Sequence, residues 1–170
     1  MAEVKLVDDA AFLLPGDLFV SEAPARVKTV VGSCLAIMIR VPRLGLAAIA
    51  HCLLPEARLP AACLTRQEAL RYVDTTLEIM LQKMTAHGAR FDELEVKLFG
   101  GADSMGISGY RVGGRNLEVA ETVLAAHGLP IAASGVGGTQ GRSIEFHTES
   151  GDVFVRKLPS QGGSHISEFL

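Results

Sequence analysis

The chain has 170 residues, of which 48% are hydrophobic and 21% are charged, and its formal net charge is −3. This length favours one domain with a sizeable core, and the charge balance offers no basic surface for nucleic acid or for an anionic membrane. The longest apolar run, LGLAAIAHCLLP, is too short to cross a bilayer. The acidic N-terminal stretch also lacks the basic start of a signal peptide, so we expect a soluble protein without membrane insertion.

The number and spacing of the cysteines indicate the cellular compartment and whether the protein binds zinc. The three cysteines have no paired spacing, and the chain contains no C-x-x-C or H-x-x-x-H motif. An odd, unpaired set argues for a reducing cytoplasm over a disulfide framework, and the missing motifs argue against a zinc site. We therefore expect a cytoplasmic protein that needs no metal and no cofactor.

The first predicted elements lie in residues 29–56, TVVGSCLAIMIRVPRLGLAAIAHCLLPE, where two strand-length apolar runs flank Pro42-Arg43. Proline suits the first central position of a tight turn, so the pattern predicts a β-hairpin. A turn symmetrical about these two residues places Cys34 directly opposite His51, on the same face of the sheet. A bulge or an odd-length loop would shift this register by one.

A thiol beside an imidazole has chemical meaning, because the imidazole takes the thiol proton and stabilises the thiolate nucleophile. Gly32 and Ser33 free the backbone from the ladder, so amide N–H groups there can point at an oxyanion. Thr29 and Ser33 are the nearby hydroxyls that can orient His51. The alternative is structural, since free cysteine is among the most buried residue types and usually only packs. The hairpin register supports the catalytic interpretation without excluding the structural one.

The next element is a long helix. Thr65 and Glu68 have the spacing of a capping box, and Gly88 can end the helix. Between them, apolar residues recur at helical spacing: Ala69, Val73, Leu77, Met80, Leu81 and Met84. The segment NLEVAETVLAAHG has a shorter version of this pattern and predicts a second helix with Asn116 as its N-cap.

The remaining segments predict strands. LEVKLFGG is a strand that ends at Gly100-Gly101, and SIEFHTESGDVFVRKL is a hairpin with its turn near Ser150-Gly151. GVGGTQGR superficially resembles a nucleotide-binding loop, but a strand follows it where a phosphate cradle needs a helix, so we interpret it as a tight loop. Hairpins outnumber strand-helix-strand units, which predicts an α/β fold built on mixed or antiparallel sheets.

Several segments together resemble one family, the chemoreceptor glutamine deamidases, CheD, of bacterial and archaeal chemotaxis. The matching pieces run through nearly the whole chain in family order: TVVGSCLAIMI, GLAAIAHCLLPE, RYVD, KLFGGADSM, GGRN and GVGGTQGRSIEFHTESGDVFVRKL. Two departures are Ser134, where the family commonly has Asp, and Cys52, where it often has Met or Phe. Neither departure falls on Cys34 or His51. Cys52 and Cys63 have no predicted partner, and we interpret them as core or surface thiols.

The resemblance implies a set of roles. Cys34 is the nucleophile, His51 the general acid and base, and Thr29 the residue that orients His51. The predicted oxyanion and site-lining groups are the backbone amides of four residues: Gly32, Ser33, Gly100 and Gly101. The implied reaction is deamidation of specific glutamines on the cytoplasmic helices of chemoreceptors, with hydrolysis of glutamyl methyl esters as a second activity and a CheC-type phosphatase as a regulatory partner.

The implied fold is a layered sandwich of mixed or antiparallel β-sheets with two main helices packed on one side, similar to cysteine-dependent deamidating toxins. Residues 1–158 form one catalytic deamidase domain in this prediction, and residues 159–170 form a flexible C-terminal tail. Two other functions stay open from the residues alone. One is a regulatory module that binds receptors or the phosphatase with weak or no catalysis, and the other is a cysteine hydrolase of small amides or esters.

Overall fold

A computed structural model describes residues 5–7, 9–103 and 111–159 of the chain. The predicted tail therefore lies outside the described residues apart from Pro159, as do Ser104 and Met105 of the KLFGGADSM segment. Within the described ranges the structure has ten strands, namely β1 (Lys5–Val7), β2 (Ala10–Phe12), β3 (Leu18–Ser21), β4 (Arg26–Val31), β5 (Leu35–Val41), β6 (Leu46–Cys52), β7 (Glu95–Gly100), β8 (Ile131–Val136), β9 (Arg142–His147) and β10 (Val153–Lys157). Its helices are α1 (Arg66–Ala69), α2 (Val73–Ala86) and α3 (Val112–Ala126).

The strands form two five-stranded sheets. The first sheet has the order β1-β2-β4-β9-β10 and the second has the order β3-β6-β5-β7-β8. Most pairs are antiparallel, but β2 with β4 and β7 with β8 are parallel, so both sheets are mixed. Because α2 and α3 both pack on the outer face of the second sheet, the layers run sheet, sheet, helices. The predicted layered α/β sandwich with two main helices on one side is confirmed.

The two central strands, β5 and β6, are buried on both faces. One face packs against α2 and α3 through residues such as Ile37, Ala48 and Cys52. The other face packs against the first sheet through residues such as Met38 and Ile49. Because side chains alternate along a strand, an unbroken apolar run is what a strand covered on both faces requires.

The predicted hairpin of β5 and β6 is confirmed, but its predicted register is wrong by two residues. The structure pairs Ala36 with His51, so His51 does not lie opposite Cys34. The connection is longer than a two-residue turn, because a 3₁₀ turn at Pro42–Leu44 is followed by Gly45 in the left-handed region with φ of 62°. Since the added length is even, Cys34 and His51 still belong to the same face of the sheet.

The predicted long helix is two helices. The Thr65–Glu68 capping box is present and begins α1, but α1 ends after one turn. The backbone then pairs with the segment after β6, since Arg71 accepts the N–H groups of Leu53 and Leu54 at 2.9 and 3.0 Å. Tertiary hydrogen bonds therefore replace the helical ones here. All six predicted core positions of this segment are nevertheless buried.

The predicted start of α3 is also wrong. Asn116 is not the N-cap, because the helix begins four residues earlier, at Val112. The carboxylate of Asp103 accepts the N–H groups of Gly113 and Gly114 at 2.9 and 3.0 Å, so the cap comes from a residue outside the helix. The hairpin of β9 and β10 agrees with its prediction, including the turn at Ser150-Gly151.

Among the described residues no helix has both the length and the apolar character needed to span a membrane. Over the same ranges, no group of three or more His, Cys, Asp or Glu side chains is arranged to hold a metal ion.

Candidate active site

Thr29 and His51 meet between the two sheets. Thr29 lies on β4 of the first sheet, between the inward-facing Val27 and Val31, and is fully buried. His51 lies on β6 of the second sheet and has 2% of its surface exposed. Thr29 Oγ1 is 2.8 Å from His51 Nδ1. The sandwich thus joins two residues from different sheets by one buried hydrogen bond.

A second contact of Thr29 assigns the tautomer of His51. Thr29 Oγ1 lies 3.0 Å from the carbonyl oxygen of Leu13, which can only accept, so the single hydroxyl proton of Thr29 is donated there. Thr29 must then accept from Nδ1–H of His51 at their 2.8 Å contact. Nε2 of His51 therefore has the free lone pair of a neutral imidazole, which is the form a general base requires.

Cys34 lies in the bend between β4 and β5, one residue before β5 begins, and is half-buried against the core between the sheets. Ala36 is directly opposite His51, so Cys34 is the diagonal neighbour of His51, for which the typical Cα separation is about 7–8 Å. Nε2 of His51 is buried and has no hydrogen-bond partner within the described residues. The thiol and the imidazole share a face without being bonded to each other.

Burial shifts the pKa values of this pair toward their neutral forms. Desolvation lowers the pKa of His51 to about 4, although the charge of Asp17 and the carbonyl of Leu13 act in the opposite direction. Desolvation also raises the pKa of the Cys34 thiol, opposed by the backbone amide of Cys34 itself. The sequence predicted a stabilised thiolate, but the resting pair is a neutral thiol and a neutral imidazole. Formation of a thiolate at Cys34 would therefore require transfer of its proton.

The bend that contains Cys34 is held by its carbonyl groups. Three consecutive carbonyl oxygens each accept a hydrogen bond of 2.9 Å from another part of the fold: Gly32 from Ala102 N–H, Ser33 from Asn116 Nδ2 and Cys34 from Gly101 N–H. In a trans peptide the carbonyl and the following N–H point in opposite directions. The N–H groups of Ser33 and Cys34 are therefore directed away from these contacts.

Gly100 and Gly101 line the bend, but in a different role from the predicted one. A Cβ on Gly100 would lie 2.3 Å from the Cys34 carbonyl oxygen, and its φ of 112° suits glycine alone. The N–H of Gly101 already donates to that same carbonyl, so it is not free to bind an oxyanion. The prediction that Gly101 donates to the oxyanion is wrong, because the amide is used to hold Cys34.

Sequence reasoning missed the turn that wraps His51. The backbone N–H of His51 donates to the Asp17 carbonyl at 3.0 Å, and the His51 carbonyl accepts from Gly16 at 2.8 Å. Asp17 Oδ2 in turn accepts the N–H of Leu14 at 2.8 Å, which closes the turn. The signal was present in the sequence LLPGD, where Pro-Gly-Asp is a strong turn marker.

The other two cysteines have surroundings unlike those of Cys34. Cys52 is fully buried on the helix-covered face, and its burial raises the pKa of its thiol to about 12. Cys63 is exposed in a 3₁₀ turn. Their interpretation as core and surface thiols is confirmed.

Comparisons with known proteins identify the family. The family described as CheD chemotactic sensory transduction matches residues 53–157, a segment that begins just after His51. A probable chemoreceptor glutamine deamidase CheD 2 of Geobacter sulfurreducens is 40% identical over 149 residues, covering 86% of this chain and 89% of that protein. A probable chemoreceptor glutamine deamidase CheD of Maridesulfovibrio salexigens is 40% identical over 154 residues, covering 86% and 91%. The crystal structure of YlmD from Geobacillus stearothermophilus has a TM-score of 0.45 at 12% identity, covering 71% of this chain and 50% of that one.

The β-sandwich gathers a cysteine, a histidine and a threonine at one end of its interior. The chain belongs to the CheD family. The resemblance seen in its motifs is therefore confirmed.

Proposed function

We propose that the protein is a cysteine-dependent protein-glutamine deamidase that converts glutamine side chains of chemoreceptors to glutamate and releases ammonia. Relatives that are 40% identical are named for this activity. The observation that carries the proposal is the 2.8 Å bond between Thr29 Oγ1 and His51 Nδ1. It leaves Nε2 unpartnered, with a free lone pair, on the sheet face that Cys34 shares, and a thiol nucleophile needs such a proton acceptor.

The first half of the reaction forms a thioester. Cys34 Sγ attacks the carboxamide carbon of the substrate as its proton passes to Nε2 of His51, and the amide carbonyl becomes a tetrahedral oxyanion. The N–H groups of Ser33 and Cys34 stabilise that oxyanion, because their carbonyl partners are held on the opposite side of the bend. His51 then donates the proton from Nε2 to the departing nitrogen, and ammonia leaves.

The second half returns the enzyme to its starting state. Nε2 of His51, again neutral, takes a proton from water as the water oxygen attacks the thioester carbon. The carbon–sulfur bond breaks, Cys34 recovers its proton from His51, and the product is a glutamate side chain. The same steps act on a glutamyl methyl ester with methanol as the leaving group, so ester hydrolysis is part of the proposal.

The substrate and partners follow from the same assignment. We propose glutamines on the cytoplasmic helices of chemoreceptors as substrates, the cytoplasm as the site of action and a CheC-type phosphatase as a regulatory partner. Deamidation adds a negative charge to a receptor helix, which shifts a signalling equilibrium through local electrostatics. The proposed steps use side chains, backbone N–H groups and water.

Mass spectrometry of receptor peptides tests the proposal. The wild-type protein should convert glutamine to glutamate with oxygen incorporated from isotopically labelled water, and Cys34→Ala should not. Cys63→Ala is the matched control, because it removes an exposed thiol outside the site and should keep full activity. Conversion by Cys34→Ala at the wild-type rate would show that the nucleophile assignment is wrong.

A second candidate is a receptor- or phosphatase-binding module with little chemistry. It is favoured by the absence of a Cys34–His51 hydrogen bond and by the raised pKa of Cys34. Iodoacetamide separates the two functions, because a catalytic Cys34 should alkylate in the folded protein and lose reactivity in His51→Ala. A binding module should show no dependence on His51. Activity on free glutamine or model esters alone would instead indicate a hydrolase of small substrates.

A further inference from the structure

The chain has one asparagine, Asn116, and its side chain is fully buried within α3. Nδ2 of Asn116 donates to the carbonyl oxygens of Ser33 at 2.9 Å and Leu53 at 3.1 Å. Ser33 directly precedes Cys34, and Leu53 lies two residues after His51. One side chain therefore joins the bend that contains Cys34 to the end of the strand that contains His51.

The orientation of this side chain is defined by its surroundings. Oδ1 of Asn116 is buried without a hydrogen-bond partner in the described part of the chain. A reversed amide would place Oδ1 against the two carbonyl oxygens, so only the observed orientation is compatible with the contacts. Buried unpartnered groups are rare in folded proteins, and asparagine is poorly suited to a helix interior. The two hydrogen bonds that Nδ2 donates are the structural reason for an asparagine at this unfavourable position.

The start of α3 packs closely against Gly101 and Ala102, whose N–H groups hold the bend. A Cβ on Gly113 would lie 2.5 Å from the Ala102 carbonyl oxygen and 2.6 Å from the Gly101 carbonyl carbon. Asp103 also anchors the first turn of the helix by accepting its N–H groups. The position of the amide is therefore determined by close backbone packing one turn earlier in the helix.

The three peptides of the bend are held in two different ways. Backbone N–H groups hold the carbonyls of Gly32 and Cys34, but a side chain holds the carbonyl of Ser33. The N–H of that same peptide belongs to Cys34 and points the opposite way. The Ser33–Cys34 peptide is thus the one whose direction a single substitution can release.

We propose that Asn116 is a positioning residue for the oxyanion site, because by holding the Ser33 carbonyl it aims the Cys34 N–H at the oxyanion that forms when Cys34 Sγ attacks a carbonyl carbon. The inference rests on the proposed function only for the identity of the nucleophile. It concerns any carbonyl substrate, since every acyl transfer to Cys34 passes through this oxyanion.

Two probes of Cys34 separate this role from general damage to the site. Iodoacetamide reacts by displacement at a saturated carbon and forms no oxyanion. p-Nitrophenyl acetate acylates the thiol through a tetrahedral oxyanion and then loses p-nitrophenolate. Both rates are measured in a Cys63→Ala background, which removes the exposed thiol.

The variants are Asn116→Asp, which keeps the shape and replaces the Nδ2 donors by oxygen, and Asn116→Ala. The control is Thr122→Ala, which removes an exposed hydroxyl from the same helix, where it donates to the Glu118 carbonyl. We expect acylation to fall about 10- to 100-fold in both Asn116 variants, because one oxyanion donor is misdirected. Alkylation should keep its wild-type rate and pH profile, and kcat for deamidation should fall with KM little changed. Asn116→Asp should be the more severe, because its carboxylate faces two carbonyl oxygens.

Four other outcomes overturn the inference. A parallel fall of acylation and alkylation would mean that Asn116 acts on the thiol or the histidine. Unchanged acylation, or failure of both variants to fold, would make Asn116 a purely structural residue. A Cys34 that is not acylated when Asn116 is intact would remove the oxyanion site itself. If Cys34 is acylated normally but receptor peptides stay unchanged, the proposed function fails and the inference about Asn116 stands.

Discussion

His51 and Cys52 are neighbours in the chain, but they face opposite layers of the molecule. His51 points between the two sheets, where it bonds to Thr29. Cys52 points into the layer between the second sheet and the helices, where burial raises the pKa of its thiol and the Thr76 side chain acts in the opposite direction. Both residues have at most 2% of their surface exposed. Burial alone therefore does not distinguish the candidate site from the structural core.

The two faces differ in the structure that lies next to them at the end of β6. The inter-sheet face ends at the bend that contains Cys34, whose carbonyls are all bonded and whose amides are directed the other way. The helix-covered face continues into apolar contacts with residues such as Leu77 and Leu124. A buried polar residue becomes a candidate for chemistry where the packing around it ends at an open, ordered backbone.

The largest expected effect concerns the pH dependence of stability. Because the pKa of His51 is lowered to about 4 in the folded protein from 6.5, the unfolded chain binds a proton that the folded one does not bind between those values. The free energy of unfolding should therefore fall by about 3 kcal/mol as the pH drops from 6.5 to 4, through this residue alone. Urea titrations give the free energy of unfolding of the wild type and of His51→Gln at each pH. The loss of this free energy between pH 7 and pH 4 should be larger in the wild type by this amount. Equal acid sensitivity of the two proteins would contradict the buried neutral histidine.

A smaller effect is expected from removing the hydrogen bond between Thr29 and His51. Thr29→Val keeps the shape of the side chain but leaves His51 Nδ1–H without its acceptor. Turnover should fall about 10- to 100-fold, as for the loss of other outer contacts that orient a functional histidine. Thr29→Ser retains the hydroxyl and should recover most of the activity in the receptor-peptide assay. If the valine and serine variants are equally active, the hydroxyl does not orient His51.

The smallest effect is expected on the helix-covered face. Cys52→Ala removes one buried sulfur atom and should lower the free energy of unfolding by about 1 kcal/mol, without changing turnover of the folded protein. Chemical denaturation measures the first quantity and the receptor-peptide assay the second. A large loss of activity in a fully folded variant would show that the two faces are coupled.

The local elements were largely predictable from the residues. Apolar spacing identified the core positions of α2, and Ser150-Gly151 marked the turn of the last hairpin. The break between α1 and α2 was not predictable, because it comes from hydrogen bonds between Arg71 and the segment after β6. The role of Asn116 was not predictable either, because its hydrogen bond to the bend also joins segments far apart in the chain. An asparagine near the start of a helix has the sequence signature of an N-cap whether or not it makes such a bond.

The pairing of faces in the candidate site was a property of the sequence itself. Side chains alternate with a period of two, so Cys34 and His51 share a face for any connecting loop of even length, and the longer turn at Pro42–Leu44 and Gly45 moved the register without changing that face. The contact between Thr29 and His51 was decided only by the tertiary structure. Their residues lie on different sheets, and the stacking of two sheets is the summed result of many weak contacts between residues far apart in the chain. The alternation of residues along each strand therefore determines which face of its sheet a side chain lies on. Only the packing of the two sheets determines which side chains come into contact.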